Sequence, residues 1–266
     1  MERNNGKYCN EMTAILSPIK PWTENTHNRC GFDEISKYWK ACDVITFLAD
    51  LGMYHPSLYN FLDDREREQE QKFKTGYFKK RFTISRTIIK HLLLNILDTG
   101  NVSDIVLDKE KNGRIMVRGR QDLFISLSYS GTCIAVSMGK RKFGSDIEVL
   151  RPVEIRKIKS CPLFHNKNYG NRKEEIRDVL HLWTLVEAYA KLHSRNPYII
   201  LNYPVLPEDA HFVSYSINHH SILSLAFSSD HTRDTLLWID PKTVSSAIKN
   251  AACSSTIPDG DTYVRA

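Results

Sequence analysis

LFISLSYSGTCIAVS at residues 123–137 is echoed further along the chain by HFVSYSINHHSILSLAFS at residues 211–228. Each stretch has a phenylalanine, then alternating serines, a polar turn and a second apolar run that ends in serine. The corresponding positions are Phe124, Ser126 and Ser128 in the first and Phe212, Ser214 and Ser216 in the second. The alternation predicts two β-hairpins of similar design, and hence two similar α/β halves about a pseudo-twofold axis. Chance similarity is the alternative, because short strand patterns are degenerate.

A helical repeat of apolar residues precedes each predicted hairpin. Residues 81–97 and 172–192 place apolar side chains three or four positions apart, which predicts two long helices with one face in a core. The apolar stripes consist of Ile84, Ile88, Leu92 and Ile96 in the first helix and Leu182, Leu185, Tyr189 and Leu192 in the second. Asn171, with Glu174 three positions later, has the form of a capping box at the start of the second helix.

The order of these elements predicts an α/β (α+β) protein with two similar subdomains. Before the first long helix, residues 43–51 (DVITFLADL) predict a strand and residues 57–73 predict a helix. The expected divisions are an N-terminal extension of uncertain order (1–42), a first subdomain (43–150), a second subdomain (151–244) and a C-terminal tail (245–266).

The composition of the chain excludes several classes of protein. An apolar fraction of 41% and a charged fraction of 26% are ordinary for a soluble globular protein and argue against disorder. The polar N-terminus lacks a signal-peptide pattern, and the longest apolar segment, residues 84–97, is short and interrupted by charges. We therefore expect a cytoplasmic protein. Six scattered cysteines without a C-x-x-C pair predict free thiols.

Positive charge is concentrated in one segment of the chain. The net charge is +6, and residues 72–90 contain seven basic residues and no acidic one. Such a cluster suits a polyanion, either a nucleic acid or a small phosphorylated ligand. A solvated helix face is the alternative reading.

Two carboxylates lie one residue apart in GSDIEVLRP, residues 144–152. On a strand, this spacing places Asp146 and Glu148 on the same face and directs Ile147 into the core. Adjacent carboxylates repel each other unless a cation or protons intervene, and Mg²⁺ is commonly held by one or two carboxylates together with substrate phosphates. The pair is a candidate metal site, with solvated carboxylates at a strand end as the alternative.

A second set of polar residues lies on the predicted helix over residues 172–192. Trp183, Glu187 and Lys191 step by four on the side opposite the leucine stripe. The carboxylate could add a third group to a metal site, and the ammonium could bind a phosphate. The alternative is a surface ion pair between Glu187 and Lys191, which is a favourable helix arrangement.

The order and spacing of three motifs resemble one enzyme family. FISLSYSG (124–131), GSDIE (144–148) and LWTLVEAYAKL (182–192) are similar to the F-N-L-S-H-S-G, G-[IV]-D-[IV]-E and W-[ST]-x-K-E-[AS]-x-x-K series of 4′-phosphopantetheinyl transferases of the surfactin-synthase-activating (Sfp) type. Residues 73–86 (FKTGYFKKRFTISR) resemble the basic segment before the first long helix of that family. The resemblance covers about residues 43–244.

The resemblance implies a Mg²⁺-dependent enzyme that moves phosphopantetheine from coenzyme A to a serine of an acyl- or peptidyl-carrier protein, releasing 3′,5′-ADP. It also implies a monomer of two subdomains with coenzyme A between them, and no nucleic-acid or membrane partner. The resemblance implies that Mg²⁺ is bound by Asp146, Glu148 and Glu187, and that catalysis is carried out by Glu187, Lys191 and Glu148. Glu187 would be either a third metal ligand or the base. Coenzyme A would be bound by Arg81 at the 3′-phosphate, by Ser128 in a phosphate-contacting loop, and by Arg114, Tyr129 and Lys191. Trp183 is expected mainly to pack the helix.

The sequence departs from the family pattern at three positions. Tyr129 replaces the histidine of S-H-S, Val186 replaces the first lysine of K-E-[AS], and Arg114 replaces the lysine of G-K-P. A catalytically degenerate member that binds coenzyme A or a carrier protein without turnover is therefore the alternative function. A lysine at position 186 is expected to point the same way as Trp183, and the double variant Val186→Lys with Tyr129→His is expected to lower the apparent Michaelis constant for coenzyme A. The basic residues 140–142 could compensate, although a plain surface turn is the favoured reading there.

Overall fold

The computed structural model describes residues 19–22, 29–30, 34–53, 56–97, 101–154, 160–164, 172–203, 206–228 and 233–239. Its strands are β1 (Ile19–Trp22), β2 (Arg29–Cys30), β3 (Val44–Asp50), β4 (Leu107–Lys109), β5 (Ile115–Val117), β6 (Arg120–Ser130), β7 (Cys133–Gly139), β8 (Phe143–Val149), β9 (His211–Ile217), β10 (Ser221–Phe227) and β11 (Asp234–Ile239). Its helices are α1 (Ile35–Ala41), α2 (Asp64–Gln71), α3 (Gly76–Leu97), α4 (Arg172–His193) and α5 (Pro197–Ile200). The fold is therefore mixed α+β, as predicted.

Both predicted hairpins are present. Strands β6 and β7 pair antiparallel around Gly131, and β9 and β10 pair antiparallel around Asn218 and His219. The φ angles of Asn218 and His219 are +47° and +59°, which is the left-handed conformation that a tight hairpin turn requires. The serine-rich alternation was thus sufficient to locate these four strands.

The strands form two sheets that exchange strands between the halves of the chain. One sheet has the order β2-β11-β3-β7-β6-β5-β4, and the other has the order β1-β9-β10-β8. Strand β8 follows the first hairpin but pairs with β10, whereas β11 follows the second hairpin but pairs with β3. The predicted subdomain boundary at residue 150 remains a prediction, and strand pairing crosses it in both directions.

The two long predicted helices are confirmed and carry the predicted stripes. On α3, Ile84, Ile88 and Leu92 are 1%, 2% and 0% exposed, and Ile96 packs at the edge of the same core. On α4, all four stripe residues are buried. The proposed cap residue Asn171 lies outside the described residues.

The predicted helix over residues 57–73 is instead divided in two. A 3-10 turn at Pro56–Phe61 precedes α2, which begins at Asp64. The interruption is a capping box, in which the Asp63 carboxylate accepts from the Glu66 amide at 2.9 Å and the Glu66 carboxylate accepts from the Asp63 amide at 3.1 Å. Because Asp63 satisfies the first free amides of α2, the helix starts there and not at residue 57.

Part of the predicted N-terminal extension contributes to the fold. Strand β1 lies parallel to β9, β2 lies parallel to β11, and α1 packs beside α3. These segments of the extension of uncertain order therefore have regular structure, which the sequence did not predict because their partners are distant strands and a distant helix and not a local pattern. The predicted tail over 245–266 lies outside the described residues.

Two simpler expectations can be compared with the described chain. Among its helices, none combines the length and the apolarity needed to cross a membrane. Cys42, Cys133 and Cys161 are free thiols.

Candidate active site

Serine hydroxyls of β6 connect this strand to β8. Three backbone amides of β8 donate to three hydroxyls of β6 at 2.9–3.2 Å, so that side chains replace the usual backbone ladder between the two strands. The amide and hydroxyl pairs are Ser145 with Ser126, Ile147 with Ser128, and Val149 with Ser130. The alternating serines therefore fix the register of β8 against the first sheet.

The same hydroxyls hold the two carboxylates of β8. Ser128 donates to Asp146 Oδ1 at 2.6 Å, and Ser130 donates to Glu148 Oε2 at 2.6 Å. Ile147 between them is 1% exposed and packs in the core. Asp146 and Glu148 thus share one face of the strand, as their spacing predicts.

Each carboxylate also has a cationic partner. Lys191 Nζ lies 2.7 Å from Asp146 Oδ1 and donates to the Ser145 carbonyl at 2.9 Å. Arg151 donates to Glu148 through Nη1. Lys191 of α4 therefore forms its ion pair with Asp146 of β8, and the alternative of a surface ion pair with Glu187 is not what the structure has.

Gly144 allows α4 and β8 to approach each other this closely. A Cβ atom at this position would lie 2.0 Å from the Ala188 carbonyl oxygen and 2.6 Å from the Leu192 amide nitrogen. Only glycine fits against the helix backbone at that distance. The first residue of GSDIE is therefore required to bring the carboxylates next to Lys191 and Glu187.

Burial and mutual repulsion shape the acidity of this cluster. Burial raises the pKa of Asp146, although the charge and hydrogen bond of Lys191 and the hydroxyl of Ser128 oppose it. Burial also raises the pKa of Glu187, and the negative charges of Asp146 and Glu148 add to that effect while Lys191 opposes it. Carboxyl groups whose pKa is raised in this way, such as Asp146 and Glu187, are suited to proton transfer or to a nearby cation.

A cleft of about 960 Å³ opens beside this cluster. It is lined mainly by residues of α3, β6 and α4, together with the turn before β5 and the segment after α4. Six of its lining residues in the described chain are basic, and one, Glu187, is acidic. The basic residues are Arg81, Arg86, Lys109, Arg114, Lys191 and Arg195. An anionic ligand, such as one that carries several phosphates, matches this lining.

Two arginines of α3 reach the cleft in different ways. Arg81 lies over the Tyr129 ring at 4.2 Å from its centroid and over the Phe78 ring at 4.9 Å. Arg86 is only 8% exposed, and its Nε lies 3.8 Å from Glu66 Oε1. The buried Nη1 of Arg86 has no hydrogen-bond partner among the described residues. A buried guanidinium with an unused donor beside a cleft is a candidate anion site.

Two curated proteins resemble this chain in sequence, and both are named 4′-phosphopantetheinyl transferase. One, psf-1 of Bacillus pumilus, is 22% identical over 135 residues, which cover 50% of this chain and 58% of that protein. The other, gsp of Aneurinibacillus migulanus, is 22% identical over 154 residues, which cover 54% of this chain and 63% of that protein. The predicted relationship to the phosphopantetheinyl transferase superfamily is confirmed. The chain spans less than two thirds of the length of either relative. No protein-family model matches it.

Ser128 does not occupy the loop that the resemblance to the transferases implied. It lies within β6, is 4% exposed, and uses its hydroxyl to hold Asp146 and the amide of Ile147. The loop placement is wrong because the strand extends as far as Ser130. A direct contact between Ser128 and a phosphate remains a prediction, and Ser128 is not among the residues that line the cleft.

Tyr129, which replaces the transferase histidine, does line the cleft. Its hydroxyl donates to Ser85 Oγ at 2.9 Å, and its ring lies beneath Arg81. Arg114, which replaces the G-K-P lysine, also lines the cleft and packs over the Phe124 ring at 5.1 Å. Residues 140–142 form an exposed turn, and Lys140 donates to the Cys42 carbonyl at 2.8 Å. The turn is therefore the better description of that segment.

Val186 lies in the core and not on the side of α4 that faces the cleft. It is 0% exposed and packs among Leu182, Leu185 and Tyr189. A lysine at position 186 would face the same core as Trp183 and not the cleft, because this turn of α4 buries the position, so the expectation that it would strengthen coenzyme A binding is wrong. Trp183 packs at the edge of the same core, with its ring centroid 6.2 Å from that of Tyr198.

Sequence reasoning did not single out Arg86, Lys109 and Arg195 as lining residues. Arg86 belongs to the basic cluster over residues 72–90, so charge alone pointed to the right segment but not to the residue. Lys90 of the same cluster is buried and donates to Glu66 at 2.6 Å and to the Phe61 carbonyl at 3.1 Å. Some basic residues of the 72–90 cluster therefore line the cleft, whereas others form buried ion pairs, and their spacing in the sequence does not show which residue does which.

The donor chemistry of the carboxylate cluster fits Mg²⁺, which prefers oxygen ligands. Within the described residues, however, no three His, Cys, Asp or Glu side chains are placed to hold a metal ion together. Asp146 and Glu148 alone match the usual arrangement, in which one or two carboxylates bind Mg²⁺ and substrate phosphates complete its coordination.

Proposed function

We propose that this chain transfers 4′-phosphopantetheine from coenzyme A to a serine of an acyl- or peptidyl-carrier protein, with Mg²⁺ as cofactor and 3′,5′-ADP as the second product. The observation that carries the proposal is the juxtaposition of a cleft lined by six cations with the Asp146, Glu148 and Glu187 cluster. The similarity to two proteins named as transferases supports the same reaction.

The cationic residues would bind the phosphates of coenzyme A. Lys191 links the two parts of the site, since it lines the cleft and also pairs with Asp146. Arg86 and Arg114 would bind further phosphate oxygens from the opposite wall. Catalysis of this kind depends mainly on positioning and on stabilising charge at the transferred phosphorus.

Two of the carboxylates would bind the metal ion, and the third would accept the proton of the acceptor serine. Asp146 and Glu148 would hold Mg²⁺, which when bound would neutralise the charge on the coenzyme A pyrophosphate. Glu187 is the acidic residue on the described cleft wall, so it would accept the proton of the carrier serine as that oxygen attacks the β-phosphorus. The bond from this phosphorus to 3′,5′-ADP breaks in the same transfer.

Mass spectrometry of carrier proteins tests the proposal. Purified chain, coenzyme A and Mg²⁺ are incubated with a panel of apo carrier proteins, and a mass gain of one phosphopantetheine is expected on at least one carrier. Asp146→Asn should lower the rate by about 100-fold or more, because metal stabilisation of charge contributes several kcal/mol. Asp122→Asn is the matched control, since Asp122 is exposed, pairs with Arg120 and does not line this cleft.

A second candidate function is binding of coenzyme A or a carrier protein without turnover. It is favoured by the observation that Asp146 and Glu148 already have cationic partners in Lys191 and Arg151. Coenzyme A that binds by calorimetry, with no mass gain on any carrier with or without Mg²⁺, would support this candidate and contradict the first. Equal rates for the wild type and Asp146→Asn would exclude the proposed role of the carboxylates.

A further inference from the structure

Arg151, two residues after the end of β8, faces both oxygens of the Glu148 carboxylate. Its Nη1 donates to Glu148 Oε2, and its Nη2 lies 3.5 Å from Oε1. Ser130 donates to the same Oε2 at 2.6 Å, and the Glu148 side chain is only 13% exposed. Because the guanidinium would repel a cation placed beside it, a metal ion that binds Glu148 must displace Arg151.

The other carboxylate of β8 does not have to lose its cationic partner. Ser128 and Lys191 both contact Asp146 at Oδ1, at 2.6 and 2.7 Å, so a metal ion can approach through Oδ2 while both stay in place. Lys191 is also held by the Ser145 carbonyl at 2.9 Å. Of the two cations, Arg151 is therefore the one that has to move.

Arg151 is also the cation that can leave at little cost. Its side chain is 51% exposed, and an ion pair at this exposure contributes no more than about 5-fold to an equilibrium constant. The backbone beside it is fixed, because Pro152 restricts the conformation of Arg151 and the Leu150 amide donates to the His220 carbonyl at 2.7 Å. The guanidinium would therefore leave by rotation of the side chain alone.

Charge balance favours an exchange of cations over the addition of a third one. Asp146 and Glu148 carry two negative charges, and their partners Lys191 and Arg151 carry two positive charges. Mg²⁺ added with Arg151 in place would leave two positive charges uncompensated. Mg²⁺ in place of Arg151 would leave one, which the phosphates of a substrate can compensate.

We propose that Arg151 is an exchangeable counter-ion of the metal site, which pairs with Glu148 until a divalent cation takes its place. This inference rests on the proposed function, because it concerns the metal ion that the proposed transfer uses. Arg151 is a positioning residue that acts through Glu148, and it sets the concentration of metal ion that the protein requires.

Mn²⁺ binding to the full chain, without coenzyme A or a carrier protein, tests the exchange. Electron paramagnetic resonance measures the free Mn²⁺ in each titration. Arg151→Ala should bind Mn²⁺ about 2- to 5-fold more tightly than the wild type, because the metal ion no longer displaces an ion pair. Arg151→Lys keeps an exchangeable cation and should lie between the two. Added Mg²⁺ should raise the Tm of Arg151→Ala more than that of the wild type.

A double-mutant cycle locates the effect at Glu148. Glu148→Gln removes the charge for which the two cations compete, so adding Arg151→Ala to this variant should give no further gain in Mn²⁺ affinity. Arg120→Ala is the control for a general change in charge, since Arg120 pairs with Asp122 at 2.7 Å and does not line the cleft. It should leave Mn²⁺ affinity unchanged.

The outcomes separate this inference from the proposed function. Equal or weaker Mn²⁺ binding by Arg151→Ala, or the same gain in Arg120→Ala, would overturn the exchange, whereas a mass gain on a carrier protein would still support the transfer. A gain from Arg151→Ala that persists in the Glu148→Gln background would also overturn it. Absence of Mn²⁺ binding in both the wild type and Arg151→Ala would overturn the exchange together with the proposed metal role of the carboxylates.

Discussion

Arg81 and Arg86 come from one helix but have different surroundings, and this difference predicts different effects on ligand binding. Arg86 has a buried donor, Nη1, that no group of the described residues accepts from, so we expect it to bind the 3′-phosphate of coenzyme A. Arg86→Ala should weaken coenzyme A binding by about 10- to 100-fold, because a hydrogen bond to a charged group contributes about 1.5–3 kcal/mol. Calorimetry should show little change for dephospho-coenzyme A, which lacks that phosphate.

Arg81→Ala provides the comparison. Because its guanidinium lies over the Phe78 and Tyr129 rings, at 4.9 Å and 4.2 Å from their centroids, we expect Arg81 not to bind the 3′-phosphate, so this variant should change the affinities for coenzyme A and dephospho-coenzyme A by the same factor. A selective loss of coenzyme A affinity in Arg81→Ala, with no such loss in Arg86→Ala, would restore the role that the sequence resemblance implied for Arg81.

The second residue-scale prediction concerns Val186. Because this side chain is 0% exposed in an apolar cluster, Val186→Lys would bury an unpaired ammonium. The free energy of unfolding should fall by about 3 kcal/mol or more. Urea unfolding monitored by circular dichroism measures this change. Val186→Ile is the apolar control and should cost much less; equal losses for the two variants would show that shape and not charge decides this position.

At the scale of elements, the contact between β8 and α4 depends on Gly144. Gly144→Ala would place a methyl group against the backbone of α4 at 2.0 Å, so either the helix or the strand must move. We expect a loss of about 3 kcal/mol or more in stability, at the upper end of overpacking effects, and a loss of any transfer activity. Thermal unfolding and the carrier mass assay measure the two effects.

Gly76→Ala is the matched control for this prediction. No atom lies within 4 Å of a Cβ at Gly76, and this residue begins α3. Its replacement should be neutral or slightly stabilising, because alanine is the better helix former. Comparable destabilisation in both variants would mean that the close approach at Gly144 is not what matters.

At the scale of the whole molecule, stability should depend on pH through a buried histidine. His91 is 6% exposed, and burial lowers its pKa to about 4 from an ordinary value of 6.5. The unfolded chain therefore binds a proton near pH 6.5 that the folded chain binds only near pH 4. The stability that depends on neutral His91 is fully present above pH 6.5 and is lost as the pH falls from 6.5 to about 4. The free energy of unfolding should fall by up to about 3 kcal/mol over this range.

Urea unfolding of the wild type and of His91→Gln between pH 4 and pH 7 tests this prediction. The difference in free energy of unfolding between the two proteins should shrink as the pH falls, because glutamine does not titrate. Asp146 and Glu187 act in the opposite sense, since their raised pKa values reduce stability as the pH rises above their ordinary 3.8 and 4.5. A constant difference across the pH range would contradict the role of His91.

The sequence by itself determined the elements whose pattern is local. Apolar residues recur every three or four positions in α3 and α4, and polar and apolar residues alternate in both hairpins. Each pattern depends only on residues close together in the sequence, so it predicts these helices and strands without knowledge of the fold. The shared face of Asp146 and Glu148 follows in the same way from the two-residue repeat of a strand. The order of the motifs was enough to indicate the transferase superfamily.

Only the tertiary structure decided which distant residues meet. It placed β8 in the second sheet and β11 in the first, and it turned the alternating serines of β6 into the supports of the carboxylates. It also turned Arg86 to the cleft and Val186 to the core. The periodicity of one segment shows which side chains share a face, but the partner that covers that face is set by packing between segments far apart in the chain.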